Sequence, residues 1–206
     1  MYKIWSRVPV NYYQIGVKNN FLQRTWHGEK IQNAKKMIEQ LDFSNCLDVG
    51  CASGYMISML AKDFPDKKFY GIDAYDRAIA FAKKKYRNIS FKVASAESLP
   101  FKNNFFDLVI CYETIEHANK PEMLLMEIKR VLRRNGILIL AMDSGNFLFR
   151  IVWNIWEKTK GRVWSGAHLH PFHHDELEKL IIKSGLKIQK KVFTHFRMEV
   201  VFILQK

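Results

Sequence analysis

A chain of 206 residues with 48% hydrophobic and 14% aromatic side chains is long enough for one packed core and too apolar to stay disordered. Its 33 Lys and Arg against 20 Asp and Glu give a net charge of +13, of which residues 1–40 and 143–206 each carry +5. That balance admits an anionic partner such as RNA or a membrane surface without requiring one. Three scattered cysteines exclude a disulfide framework, no run of 18 apolar residues occurs, and the N-terminus lacks a signal-peptide core; the expectation is a cytoplasmic protein, peripheral to a membrane at most.

Residues 1–40 are expected to form a helical cap, helical from Lys18 or Trp26 onward. From residue 45 short apolar runs alternate with helical patterns. Strands are predicted at 46–50, 68–73, 89–93, 106–112 and 137–142, with helices at 53–62, 75–86 and 121–132 between them. Residues 175–183 read as a last helix, and 187–194 with 198–204 as a hairpin. The pattern predicts a single α/β domain over 1–206, with a doubly wound, seven-stranded, mostly parallel sheet and an antiparallel C-terminal hairpin. Its parts are the cap (1–40), a ligand-binding core (41–142), an insert (143–174) and the final helix and hairpin (175–206). The insert contains the apolar run Phe147 to Trp156, a candidate lid or membrane contact.

In such a sheet the loop after the first strand approaches a ligand most closely. Here that loop is Asp48-Val49-Gly50-Cys51-Ala52-Ser53-Gly54. Counting from Gly50, Ala52 and Tyr55 stand where a dinucleotide fingerprint needs glycine, and no Gly-Lys-Ser/Thr phosphate loop follows. Two acids remain, Asp48 before the loop and Asp73 at the end of the second strand. Asp73 is placed to accept ribose hydroxyls, and Asp48 suits a cationic ligand better than a phosphate.

Over residues 45–142 the sequence resembles the class I S-adenosylmethionine (SAM)-dependent methyltransferases, in the type 11 branch that includes quinone-biosynthesis enzymes. The resemblance is carried by Leu47 to Gly54, Tyr70 to Asp73, Ala94 to Phe101, Phe105 to Cys111 followed by Glu116-His117, and Ile128 to Gly136. It implies a Rossmann-like fold, SAM as cofactor and a methyl-transfer activity. The implied cofactor contacts are Asp48, Gly50, Cys51, Ala52, Gly54, Asp73, Ala74, Ser95, Ala96, Glu97 and Cys111. The sequence departs from the family at Ala52 and Asn135, where glycine is usual, and at Ser95, where an Asp usually meets the adenine amino group.

The acceptor is expected to be a small molecule, hydrophobic, lipid-like, quinone-like or a sugar, with RNA or protein methylation and a non-catalytic SAM-binding module as the alternatives. Glu113 and His117, after the fourth strand, are the candidate catalytic residues. Trp26, His27, His168 and His170 are candidate acceptor contacts. The histidines at 168, 170, 173 and 174 have ligand-like spacing, yet no metal is assigned to them; His174-Asp175 reads as a helix cap.

Overall fold

A computed structural model describes residues 8–158, 169–170 and 172–206. Seven strands, β1 (Asn45–Val49), β2 (Lys68–Asp73), β3 (Ser90–Val93), β4 (Phe106–Tyr112), β5 (Leu132–Asp143), β6 (Lys187–Thr194) and β7 (Glu199–Gln205), form one sheet in the order β3-β2-β1-β4-β5-β7-β6. β1 to β5 pair in parallel, and β7 runs antiparallel to β5 and to β6. The strand order reverses between β1 and β4, which opens a crevice at their C-terminal ends.

Strand periodicity divides the core between the two faces of the sheet. Leu47 and Val49 of β1 join one cluster with helices α5 (Pro121–Val131) and α7 (His174–Ser184), whereas Cys46 joins another with α2 (Phe21–Ile38), α3 (Tyr55–Asp63) and α4 (Asp76–Lys85). In β4, Val109 and Cys111 belong to the first cluster and Leu108 and Ile110 to the second. Phe106, beside a register shift against β5, also belongs to the first. Helix α5 shows how sequence sets this packing. Pro121 opens it, and Leu124, Leu125, Ile128 and Val131 recur at helical spacing, all fully buried.

Several boundaries differ from the sequence reading, each for a local reason. The cap is two helices, α1 (Tyr12–Asn19) and α2, because Asn20 turns extended and its Oδ1 accepts from the amides of Leu22 and Gln23. Helix α3 begins at Tyr55 rather than Ser53, since Gly54 is left-handed. β5 begins at Leu132, with Asn135 taking the left-handed region at φ 63°. The cap of α7 is His173, one residue before the expected cap at His174; Glu176 Oε2 accepts from its amide at 2.8 Å. The apolar insert forms α6 (Phe147–Lys158), and among the described residues no helix is long and apolar enough to cross a membrane.

Candidate active site

The loop leaving β1 is held across to β2, with the amides of Gly50 and Cys51 both donating to the Ile72 carbonyl at 2.9 Å. Gly50 has φ 80°, and a Cβ there would lie 2.1 Å from Thr114 Oγ1; Gly54 has φ 73°, and a Cβ there would lie 2.7 Å from the Phe91 ring. Both positions demand glycine in conformation and in space. Ala52 between them sits at φ 45°, where an L side chain costs about 1 kcal/mol. Asp73 offsets this cost: its Oδ2 accepts from the Ala52 amide and its Oδ1 from the Tyr75 amide, both at 2.8 Å. One carboxylate thus ties two loops together and keeps lone pairs for further donors. Asp48 is buried, and burial followed by the nearby Asp73 pushes its carboxyl up to about 8. Two such acids favour a ligand that brings positive charge and hydroxyl donors, as SAM does.

The remaining predicted cofactor contacts fall unevenly. Asp73 pairs with Val93, so Ala74 and the 95–97 segment leave adjacent strand ends on the same edge of the sheet. Ser95 Oγ accepts from the Glu97 amide, and Glu97 Oε1 accepts from the amides of Asn119 and Lys120 just before α5. Ala96 is half-buried. Cys51 and Cys111 are both buried, which raises their thiols well above the ordinary range; the Cys111 side chain is fully enclosed in the core. Glu127 and Arg130 of α5 fix the loop that follows β3. Glu127 accepts from the Leu99 amide, while Arg130 donates to the carbonyls of Leu99 and Phe101.

A cavity of about 430 Å³ opens beyond this loop. Tyr12 and Tyr13 of α1, Trp26 and His27 of α2, and Phe149, Trp153 and Trp156 of α6 supply its aromatic walls. The turn after β4 contributes Glu113, Glu116 and His117. That same turn carries Thr114 against Gly50, so loop and cavity share a wall. Helix α1 spans both, because Gln14 Nε2 donates to Ser53 Oγ at 3.1 Å.

Below the cavity lies a buried ionic network. Lys30, with a side chain 5% exposed, pairs with Glu113 and lies 3.4 Å from Glu199 Oε1. Burial opposes its charge, but the carboxylates around it outweigh burial and raise its pKa; at Glu113 burial pushes the acid up, and Lys30 together with His27 and His117 outweighs it and holds that acid at about 2. His195 places Nδ1 3.0 Å from Glu199 Oε2 and Nε2 3.0 Å from the Trp26 carbonyl. Two acceptors at two ring nitrogens favour the imidazolium, and these bonds raise its pKa against the effect of burial. His27 behaves oppositely, with burial and then Lys30 pushing it down to about 4, which leaves it neutral. Glu116 is 4% exposed, and neither carboxylate oxygen has a hydrogen-bond partner. Burial, then Glu113, pushes it up to about 8.

The structure therefore brings Trp26, His27, Glu113 and His117 together, as sequence spacing could not show. Lys30, His195, Glu199 and Asp143 escaped the sequence reading, since they meet only when α2, β5 and β7 converge. His168 lies outside the described residues. His170 is no wall of the described cavity; its amide donates to the Glu116 carbonyl at 3.0 Å, which fixes the turn from behind. His173, His174 and Asp175 gather their ligand atoms within 4.8 Å, but the Lys191 ammonium lies 3.2 Å from His174 Nδ1, where a metal would meet a like charge.

A doubly wound sheet with strand order 3-2-1-4-5-7-6, a glycine loop at the switch point and an acid at the end of β2 defines the class I methyltransferase fold. Residues 47–140 match the family model described as a methyltransferase domain. That stretch, just under half of the chain, is a methyltransferase domain of this family. An uncharacterised protein of Methanocaldococcus jannaschii is 32% identical over 152 residues, 73% of this chain and 68% of that one. A ubiquinone biosynthesis O-methyltransferase of Pelagibacter ubique is 31% identical over 116 residues, 54% of this chain and 46% of that one. A structure from Thermotoga maritima, described as a SAM-dependent methyltransferase and possible histamine N-methyltransferase, superposes with a TM-score of 0.74 at 23% identity, over 100% of both chains. The chain spans about half the length or less of several curated relatives that it matches, 38% to 50% of three of them.

Proposed function

We propose that this protein binds SAM at the Gly50–Gly54 loop and methylates a small acceptor held in the aromatic cavity. The observation that carries this reading is the shared wall, in which Thr114 packs on Gly50 while its neighbours Glu113 and Glu116 line the cavity. When bound, SAM supplies a methyl group activated by its sulfonium. The chain's own residues supply position and dryness, which are the main needs of an in-line displacement. Asp73 holds the ribose side and Asp48 the charged end. Trp26, Phe149 and Trp153 hold an acceptor with substantial apolar surface and keep water out, with α6 as the lid. Glu113 stays ionised beside Lys30 and positions the turn, which leaves His117 as the group to take a proton from an acceptor that must lose one.

Among the described cavity walls there is no Lys or Arg to meet a phosphate backbone, which supports a small acceptor over RNA. Incubation with methyl-labelled SAM and a cell extract, then fractionated, tests the reading. Label is expected in the small-molecule or lipid fraction; label confined to RNA or protein, or no transfer at all, contradicts it.

A further inference from the structure

In a chain with 13 more basic than acidic side chains, the described walls of the cavity carry Glu29, Glu113, Glu116 and Asp143 and no Lys or Arg. Lys30 pairs with Glu113 and Glu199, and His195 lies against Glu199, Glu29 and the Trp26 carbonyl. Glu116 is left over. Its two oxygens are buried, and neither takes a hydrogen bond from the protein. A buried carboxyl without partners is costly, and such a group persists where something else supplies the partner. Trp26, Phe149 and Trp153 line the same cavity, and aromatic rings attract cations through their quadrupoles, as Trp26 already does for Lys30 at 5.8 Å. The Glu116 carboxyl under aromatic walls can hand its proton to an entering amine and hold it as an ammonium group with an apolar body. It is a poor match to a carboxylate, a phosphate or a sugar.

We propose that the acceptor carries a basic nitrogen, bound as its cation, with Glu116 as its receptor and the aromatic walls around it. The proposal deepens the methyltransferase reading by naming the acceptor class, and it rests on that reading only in treating the cavity as the acceptor site.

The test is calorimetry on the full chain saturated with S-adenosylhomocysteine, using three amine and alcohol pairs of equal shape: phenethylamine and 2-phenylethanol, tryptamine and tryptophol, cyclohexylmethylamine and cyclohexylmethanol. At least one amine is expected to bind about tenfold or more tightly than its alcohol, a gain typical of a charge-assisted hydrogen bond. Glu116→Gln is expected to cut that preference below about threefold while S-adenosylhomocysteine affinity stays unchanged. No amine preferred over its alcohol in the wild type overturns the proposal even if the variant fails to fold. So does a preference that survives in folded Glu116→Gln, or a variant that loses SAM selectively over S-adenosylhomocysteine, since the carboxylate would then serve the sulfonium. Loss of S-adenosylhomocysteine binding in the wild type with the amine preference intact overturns the methyltransferase reading instead and leaves the amine site standing.

Discussion

Glu116 and Glu113 lie three residues apart on one turn and end in opposite states, which shows how little a residue's type fixes its chemistry. Glu113 meets Lys30 and is held ionised at about 2; Glu116 meets no partner and is pushed up from 4.5 to about 8. The sign of the stability effect follows from this. Between pH 4.5 and 8 the folded chain keeps a proton at Glu116 that the unfolded chain has released, so this residue lowers stability as pH rises through that window. Glu116→Gln removes the contribution. Thermal melts at pH 5 and pH 8 are expected to show the variant gaining on the wild type by a few kcal/mol at the higher pH, whereas parallel melts at both values would place Glu116 in water. At Ala52 and Asp73 the two residues compensate each other, a left-handed alanine being held by the acid that accepts its amide.

Among elements, the decisive join is that of the cap to the sheet. Lys30 of α2 reaches Glu113 after β4 and Glu199 of β7, and His195 closes the circuit to Trp26 across 169 residues of sequence. Three consecutive left-handed residues, His195, Phe196 and Arg197, make the turn between β6 and β7. Such strain survives where its surroundings fix it, here through the bonds of His195. Removing Lys30 would strand two buried carboxylates, so Lys30→Met is expected to cost about 3–5 kcal/mol by denaturant melts. A loss below about 1 kcal/mol would mean that water reaches the network. The strands, the glycine loop and Asp73 were legible in the sequence because each is written in local spacing: an apolar run, a glycine four residues from another, an acid ending the next strand. The two helices of the cap were not separated, because the break rests on one asparagine cap. The ionic network left no trace, since its members are far apart in sequence and chemically ordinary. The histidines at 168–174 attracted attention by clustering, yet His195, alone in its segment, is the one built into the buried network.

At the scale of the whole molecule, two half-sites meet at the point where the strand order reverses. Asp48, Asp73 and the 50–54 loop form one; the aromatic cavity under α1, α2 and α6 forms the other. The turn 113–117 belongs to both, and α1 spans them through Gln14 and Ser53. Helix α6 turns Phe149 and Trp153 to the cavity while Phe147 and Ile155 stay exposed, so the same helix that walls the cavity also presents apolar surface outward. The central claim is that the first half-site holds SAM through Asp73. Calorimetric titration of S-adenosylhomocysteine tests it most directly. Binding at one site per chain is predicted for the wild type, weakened about ten- to hundredfold by Asp73→Ala in protein that still melts cooperatively. Wild-type protein that gives no binding, or a variant that binds as well as the wild type, would contradict the account.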